Sequence, residues 1–177
     1  MKHRGMILAG ALAMTSSATL SAQAEESAPP PGQVFTLHPI GQVQKADGET
    51  RIVLDEQYAP GLLGLDGFSH VYVFWWFDRN DTPPRRAVLQ VHPRGDRRNP
   101  LTGVFATRSP CRPNLIAMTL CKIVAVEGNM VEVEKIDAFD GTPVLDMKPM
   151  LPGYDTCDDA TVPDWIGRRP RTKKEPQ

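Results

Sequence analysis

The short segment at residues 103–114, GVFATRSPCRPN, combines two arginines with two prolines. Pro110 and Pro113 lack backbone N–H donors and fix φ, so neither a regular helix nor a central strand can run through this segment. Arg108 and Arg112 carry planar guanidinium forks that pair with carboxylates and phosphates. The segment therefore predicts a rigid loop that binds an anion or a nucleotide, with a proline-rich surface loop bearing solvated arginines as the alternative.

Arginines are concentrated in the region that ends with this loop. Seven of them fall within 28 residues, where Asp96 is the single acidic residue: Arg85, Arg86, Arg94, Arg97, Arg98, Arg108 and Arg112. The formal net charge of the whole chain is −1, which excludes a global attraction to nucleic acid. A local basic face is expected instead, and a solvated surface without a partner is the alternative.

Three further blocks occur in a fixed order around the arginine loop: HPIG at 38–41, GFSHVYVFWWF at 67–77 and DGTPVLDMKP at 140–149. With that loop they resemble the signature of the TsaA-like (TrmO, YaeB) family over roughly residues 34–154. The resemblance implies a β-barrel methyltransferase that uses S-adenosylmethionine. It also implies a homodimer with the site near its interface, and N6-threonylcarbamoyladenosine beside the tRNA anticodon, or a related small substrate, as the methyl acceptor.

The resemblance also places site residues on this sequence. The implied cofactor-binding positions are Asn80, Asp81, Arg108, Met118, Glu134, Lys135, Ile136 and Asp137, the last four acting largely through their backbone. Arg112 is expected to bind substrate or to support the loop. Met118 is equally suited to a core position, and Asn80 and Asp81 are equally natural as turn residues.

Methyl transfer from a sulfonium to an exocyclic nitrogen needs positioning, a water-poor pocket and a group that takes a proton, but no metal. His70 and Asp140 are the candidates for that group. His70 has a structural alternative as a hydrogen-bonding residue at a strand start, and Asp140 as a turn residue before Gly141.

Two departures from the family pattern favour a second function. The family continues Asn-Pro-Ile-Gly after the arginines, whereas Leu115 and Ala117 stand at the Pro and Gly positions here. If that glycine needs a positive φ or a close approach of the cofactor to the backbone, Ala117 is unfavourable by about 1 kcal/mol or more. The first loop, between Gly41 and Leu54, is also short and lacks the Pro-Arg-Gln motif of bacterial relatives. The alternative is an exported TsaA-like binding module without methyltransferase activity.

The N-terminus has the pattern of a secretory signal peptide over residues 1–24: a charged start, an apolar stretch too short to span a membrane, and Ala-Gln-Ala before the cleavage point. A proline-rich linker over 25–33, the barrel domain over 34–155 and a basic tail over 156–177 are expected to follow. This pattern predicts a periplasmic or secreted protein. A misassigned start codon, with a cytoplasmic protein, is the alternative.

The fold is expected to be all-β, a small and mainly antiparallel barrel with long functional loops and little helix. Strands are predicted at 34–43, 51–54, 69–77, 87–92, 103–107, 119–126 and 130–136, with a hairpin turn at 127–129. Trp75 and Trp76 are expected on opposite faces of their strand. Cys121 suits a buried core position, while one pair among the three cysteines could form a disulfide in an oxidising compartment.

Overall fold

The computed structural model describes residues 33–167. The predicted signal peptide, nearly all of the linker and the last ten residues of the predicted tail lie outside this range. The fold below is that of the unit that begins at Thr36.

Eight strands and one short helix account for most of the regular structure between residues 36 and 167. The strands are β1 Gly41–Ala46, β2 Glu49–Leu54, β3 His70–Trp76, β4 Gln90–Val91, β5 Thr102–Gly103, β6 Ile116–Glu127, β7 Met130–Val133 and β8 Pro143–Pro149, and the helix is α1 Pro83–Arg86. Six strands close a barrel in the order β1-β2-β7-β6-β3-β8, and β4 pairs with β5 outside it. All of these pairings are antiparallel. The all-β barrel prediction is confirmed.

Short 3-10 helices interrupt the loops between the strands. They are Glu56–Leu62, Leu65–Gly67, Asp78–Asn80, Pro93–Gly95, Val104–Ala106 and Asp164–Gly167. The loops that carry the predicted site residues lie between β3 and β6 and between β7 and β8.

The barrel interior is filled by the inward faces of alternating strands. In β3, Val71, Val73 and Trp75 are buried, whereas the residues between them are half-buried. Trp76 faces the other way, as expected for the pleat of a strand. Cys121 of β6 joins the same core and is 1% exposed, which confirms its predicted position.

The barrel closes tightly where β1 begins. A Cβ placed on Gly41 would lie 2.2 Å from the carbonyl oxygen of Val53 and 2.6 Å from the Cα of Leu54. No side chain fits there, which explains the glycine of the first sequence block. Strand β1 starts only at this glycine, so the strand predicted over 34–43 was wrong in its first seven residues, although the backbone of Ile40 is already hydrogen-bonded to Val144 and Asp55.

Three other strand predictions need correction, and one of them is the strand predicted over 130–136, which ends at Val133. Only Gln90–Val91 of the predicted strand over 87–92 is paired. The strand predicted over 103–107 was wrong, because β5 ends at Gly103 and a 3-10 helix follows. There the carbonyl oxygen of Val104 accepts hydrogen bonds from the backbone and the hydroxyl of Thr107, at 3.1 and 2.9 Å, which turns the chain. By contrast, the hairpin turn between β6 and β7 is confirmed, with Gly128 at φ 59°.

The three cysteines are free thiols. No disulfide joins them, and the Cys157 thiol instead donates to the Asp159 carboxylate at 2.9 Å. Between residues 33 and 167 there is no helix that is both long and apolar enough to span a membrane.

Candidate functional site

A cavity opens where the loops after β3 and before β6 meet the outer face of β6. We call it the mouth cavity, and its volume is about 640 Å³. Its apolar wall is formed by Trp75, Phe77, Met118, Leu120 and Phe139, and its polar lining includes Asn80, Arg108, Arg112 and Asp137. The structure therefore brings together four of the eight predicted cofactor residues, namely Asn80, Arg108, Met118 and Asp137, with the predicted substrate residue.

The arginine loop is held in shape by its own polar groups. The guanidinium of Arg112 donates to the carbonyl oxygens of Val104 and Thr107 at 3.2 and 3.5 Å. The Thr107 hydroxyl accepts from the Ser109 backbone N–H, and the Ser109 hydroxyl accepts from the Cys111 backbone N–H, both at 3.2 Å. Arg112 thus supports the loop, the second of its two predicted roles, although it also lines the mouth cavity.

Arg108 differs from its neighbour. Among residues 33–167, its guanidinium has no hydrogen-bonded or ionic partner, and the same holds for the carboxylate of Asp137, which lines the same cavity. A planar cation and an anion that are free of protein partners and line one cavity are suited to bind a zwitterionic ligand.

Met118 and Ala117 take opposite sides of β6. Met118 is 39% exposed and lines the mouth cavity, so it does not occupy a core position. Ala117 is 4% exposed within the strand and its φ is negative. The cost predicted for a positive φ at Ala117 therefore does not arise. Leu115, at the family's proline position, is completely buried and its carbonyl oxygen accepts from the Phe77 backbone N–H at 2.8 Å.

Asp81 lies outside the mouth cavity, and both of its carboxylate oxygens are held by side chains of its own region. One accepts from Arg86 at 2.7 Å and the other from the Trp76 indole at 3.0 Å. The hydrogen bond from Arg86, and to a lesser extent the one from Trp76, holds the pKa of the Asp81 carboxyl below its usual value. The guanidinium of Arg86 also lies over the Trp76 ring, 5.3 Å from its centroid.

Three further predicted cofactor residues do not line the cavity. Glu134 is paired with Lys122 at 2.9 Å, and this hydrogen bond lowers the pKa of the Glu134 carboxyl. Lys135 is exposed beside it, and Ile136 is 5% exposed in the barrel core. Of this segment, only Asp137 reaches the cavity.

Both candidate proton acceptors lie away from the cavity. His70 is at the start of β3 and contacts the Ser69 hydroxyl through Nδ1 at 2.9 Å. It is five residues from Trp75, a separation of about 17 Å along a strand. The Asp140 carboxylate accepts from the Lys45 backbone N–H at 2.8 Å, ahead of Gly141 at φ 76°. Each residue thus fits its structural alternative: His70 forms a hydrogen bond at a strand start, and Asp140 is a turn residue.

A second and larger cavity, of about 1330 Å³, adjoins the first, and we call it the tail cavity. Its lining includes His92, Arg94, Arg97, Phe105 and Trp165, and it shares Arg108, Pro110 and Asp137 with the mouth cavity. Sequence reasoning assigned no role to His92 or Trp165. The available signal for Trp165 was an aromatic residue beside Ile166 in an otherwise polar tail.

The arginine-rich region divides into two groups in the structure. Arg86 and Arg98 form ion pairs with Asp81 and Asp96, and Arg85 donates to the Asn80 side chain at 2.9 Å. The remaining four line a cavity: Arg94, Arg97, Arg108 and Arg112. The predicted basic face is therefore concentrated around the two cavities.

Sequence comparison identifies close relatives. A probable S-adenosyl-L-methionine-binding protein of Methanocaldococcus jannaschii is 43% identical over 115 residues, which cover 65% of this chain and 91% of the relative. A second such protein, of Pyrococcus horikoshii, is 42% identical and covers 70% of this chain and 88% of its own length. The human tRNA (adenine(37)-N6)-methyltransferase is 43% identical over 102 residues, 58% of this chain and 22% of the human protein.

Solved structures show the same fold. Crystal structures of TrmO, one of them from Pseudomonas aeruginosa, superpose with TM-scores of 0.59 and 0.57 at 28% and 25% identity. Each match covers 73% of this chain and 64% or 62% of the crystallised chain. The chain thus spans less than two thirds of these proteins and about a fifth of the human enzyme. The model of the tRNA-methyltransferase O N-terminal domain matches residues 36–156, and the chain belongs to that family.

Proposed function

We propose that this protein is an S-adenosylmethionine-dependent N-methyltransferase that acts on N6 of N6-threonylcarbamoyladenosine in tRNA. The observation that carries the proposal is the pair of Arg108 and Asp137, which have no partner among residues 33–167 and line the mouth cavity of a family member. The names of the archaeal and mammalian relatives support both the cofactor and the reaction.

The residues of the mouth cavity fit S-adenosylmethionine. The volume of about 640 Å³ lies in the range of small-molecule sites. The guanidinium of Arg108 is the group for the carboxylate of the cofactor. Trp75, Met118 and Leu120 offer an apolar surface for its adenine and thioether portions, and Asp137 is a hydrogen-bond acceptor for its hydroxyl or ammonium groups.

The bound cofactor would supply an electrophilic methyl group, and the residues of the chain would supply position and a water-poor surrounding. An acceptor nitrogen loses a proton when it gains a methyl group. Asp137 lines both cavities, whereas Asp78 lines only the mouth cavity, and Asp140 and His70 line neither. Asp137 is therefore the carboxylate that we assign to take this proton.

The outer face of β6 favours a homodimer. Ile116, Met118, Leu120 and Val124 are apolar and exposed on this face, by 39%, 39%, 43% and 55%, and Lys122 lies between the last two. Three of them, Ile116, Met118 and Leu120, line the mouth cavity, so a partner packed on this face would lie next to the site. Sedimentation should show a dimer for the wild type and a monomer for Val124→Glu. A wild-type monomer at micromolar concentration would contradict the dimer.

A second proposal concerns location. The charged start, the apolar stretch and the Ala-Gln-Ala sequence of residues 1–24 favour export, and the function would then be that of a periplasmic binding module without methyl transfer. Mass spectrometry of the protein isolated from its host tests this point. A mature N-terminus at Glu25 supports export. A cytoplasmic protein that keeps residues 1–24, or whose translation starts at a later codon, contradicts it.

The methyltransferase proposal is tested by incubating the protein with methyl-deuterated S-adenosylmethionine and tRNA that carries N6-threonylcarbamoyladenosine. Nucleoside mass spectrometry should find one deuterated methyl group on that nucleoside, and none on tRNA that lacks the modification. Arg108→Ala should lose most of the activity. Arg98→Ala is the matched control, because Arg98 is paired with Asp96 and lines neither cavity. The proposal would be contradicted if N6-threonylcarbamoyladenosine gained no deuterated methyl group in the presence of the wild-type protein.

A further inference from the structure

We propose that the tail cavity binds the adenosine monophosphate unit that accepts the methyl group, with Trp165 as the surface on which the base stacks. This inference rests on the proposed function and assigns a substrate site to it. The two cavities share Arg108, Pro110 and Asp137, so ligands held in them would be in contact. Direct methyl transfer requires such contact between donor and acceptor.

The lining of the tail cavity has the chemistry of a nucleotide site. Trp165 and Phe105 supply aromatic surfaces, and Phe105 is 80% exposed although it is large and apolar. Aromatic side chains of this kind stack on nucleobases. Arg97 lines the same cavity, and a guanidinium group matches the charge and geometry of a phosphate.

The turn that carries Arg94 and Arg97 is held by buried polar groups. Nδ1 of His92 donates to the carbonyl oxygen of Asn99 at 2.8 Å, since a carbonyl only accepts. The Asn99 side chain, 5% exposed, donates to the carbonyl oxygen of Pro93 at 2.9 Å. Arg94 is fixed at φ 61°, a left-handed conformation that non-glycine residues adopt where their surroundings impose it.

The C-terminal segment is tied to this turn. The guanidinium of Arg94 donates to the carbonyl oxygen of Ile166 at 3.3 Å, which connects the Pro93–Gly95 turn to the 3-10 helix Asp164–Gly167. Trp165 is part of that helix. The family match ends at residue 156, so Val162, Trp165 and Ile166 add to the cavity a wall that lies beyond the matched domain. The choice of acceptor in this protein would therefore depend on its own C-terminal segment.

The direct test measures binding to the full chain rather than turnover. Adenosine monophosphate and an RNA anticodon stem-loop are titrated separately, each with and without saturating S-adenosylmethionine. Trp165→Ala should weaken binding of the preferred probe about 5- to 150-fold, the range for one stacked base. Trp165→Phe should retain most of the affinity. Tyr154→Ala is the matched control, because Tyr154 is an aromatic residue that is 88% exposed and lines neither cavity.

The affinity for S-adenosylmethionine is measured on the same variants and should change less than twofold in Trp165→Ala. Nucleotide binding that is equal in wild type and Trp165→Ala, or wild type that binds neither probe, would overturn the inference. Stronger binding of the stem-loop than of the mononucleotide identifies RNA as the source of the unit. A wild type that binds nucleotide through Trp165 but does not bind S-adenosylmethionine would contradict the proposed function and leave only the nucleotide site of this inference standing.

Discussion

Lys45 holds the segment that carries Asp137 at both ends. Its backbone N–H donates to the Asp140 carboxylate at 2.8 Å, and its ammonium donates to the carbonyl oxygen of Ile136 at 3.1 Å. Because Asp137 lies between these two anchors and lines both cavities, β1 positions a residue of the site without contacting a ligand. Asp140, a candidate proton acceptor in the sequence, is thus a positioning residue.

Asp140→Ala should destabilise the protein by about 1 kcal/mol, since it removes one hydrogen bond between a backbone N–H and a charged, exposed carboxylate. Asp140→Asn keeps an oxygen that can accept this bond and should remain close to wild type in both unfolding and methyl transfer. Denaturant unfolding and the tRNA assay measure the two effects. A fully folded but inactive Asp140→Asn would show that the carboxylate itself takes part in catalysis.

Arg112→Ala should destabilise the arginine loop, because the carbonyl oxygens of Val104 and Thr107 lose their guanidinium donor. The expected loss is about 1–2 kcal/mol of unfolding free energy. Arg112→Lys retains the charge but not the two-pronged geometry and should recover only part of it. Thermal unfolding with and without S-adenosylmethionine separates this role from ligand binding. Unchanged stability of Arg112→Ala, with weaker substrate binding, would instead support the substrate role.

Gly41→Ala should destabilise the barrel by about 3 kcal/mol, since its Cβ would lie 2.2 Å from the Val53 carbonyl oxygen. Gly61→Ala provides the control: a Cβ there meets no atom within 4 Å and its φ is not positive. This control should change the unfolding free energy by less than about 1 kcal/mol. Equal stabilities of the two variants in urea would show that the β1–β2 contact is looser than described.

Cys121 should resist alkylation at pH 8, whereas Cys111 and Cys157 react. Burial raises the pKa of the Cys121 thiol to about 11, so the reactive thiolate is scarce, and the residue is 1% exposed. Mass spectrometry after brief iodoacetamide treatment should find two adducts on the native protein and three on the unfolded protein. Rapid native modification of Cys121 would mean that the barrel core opens readily.

Strand-like sequence runs predicted five of the six barrel strands, whereas β8 was not among the predicted strands. In β3, every second residue is buried, as its sequence pattern predicts. The long apolar runs on either side of Gly128 form the hairpin of β6 and β7. The prediction failed at 103–107, where Thr107 and Arg112 bind the Val104 carbonyl and end the extended chain. Both hydrogen-bond donors belong to the loop itself, and the spacing of apolar residues along the chain does not predict such bonds.

The site was only partly predictable for a similar reason. Of the residues that the family resemblance implied, Asn80, Arg108, Met118 and Asp137 line the mouth cavity, and local pairing decides which of the others face it. Asp81 is held by Arg86 and Trp76, and Glu134 by Lys122. Trp165 reaches the tail cavity only because the C-terminal segment folds back to the Pro93–Gly95 turn, a long-range contact that no local pattern encodes.

The most direct measurement is calorimetric titration of the purified protein with S-adenosylmethionine, in wild type and Arg108→Ala, with Arg98→Ala as the control. We expect saturable binding to wild type and to the control. Arg108→Ala should lose about 1.5–3 kcal/mol of binding free energy, the contribution of a hydrogen-bonded charge. Absence of binding to wild type at millimolar cofactor, or equal affinity for Arg108→Ala, would contradict the assignment of the mouth cavity as the cofactor site.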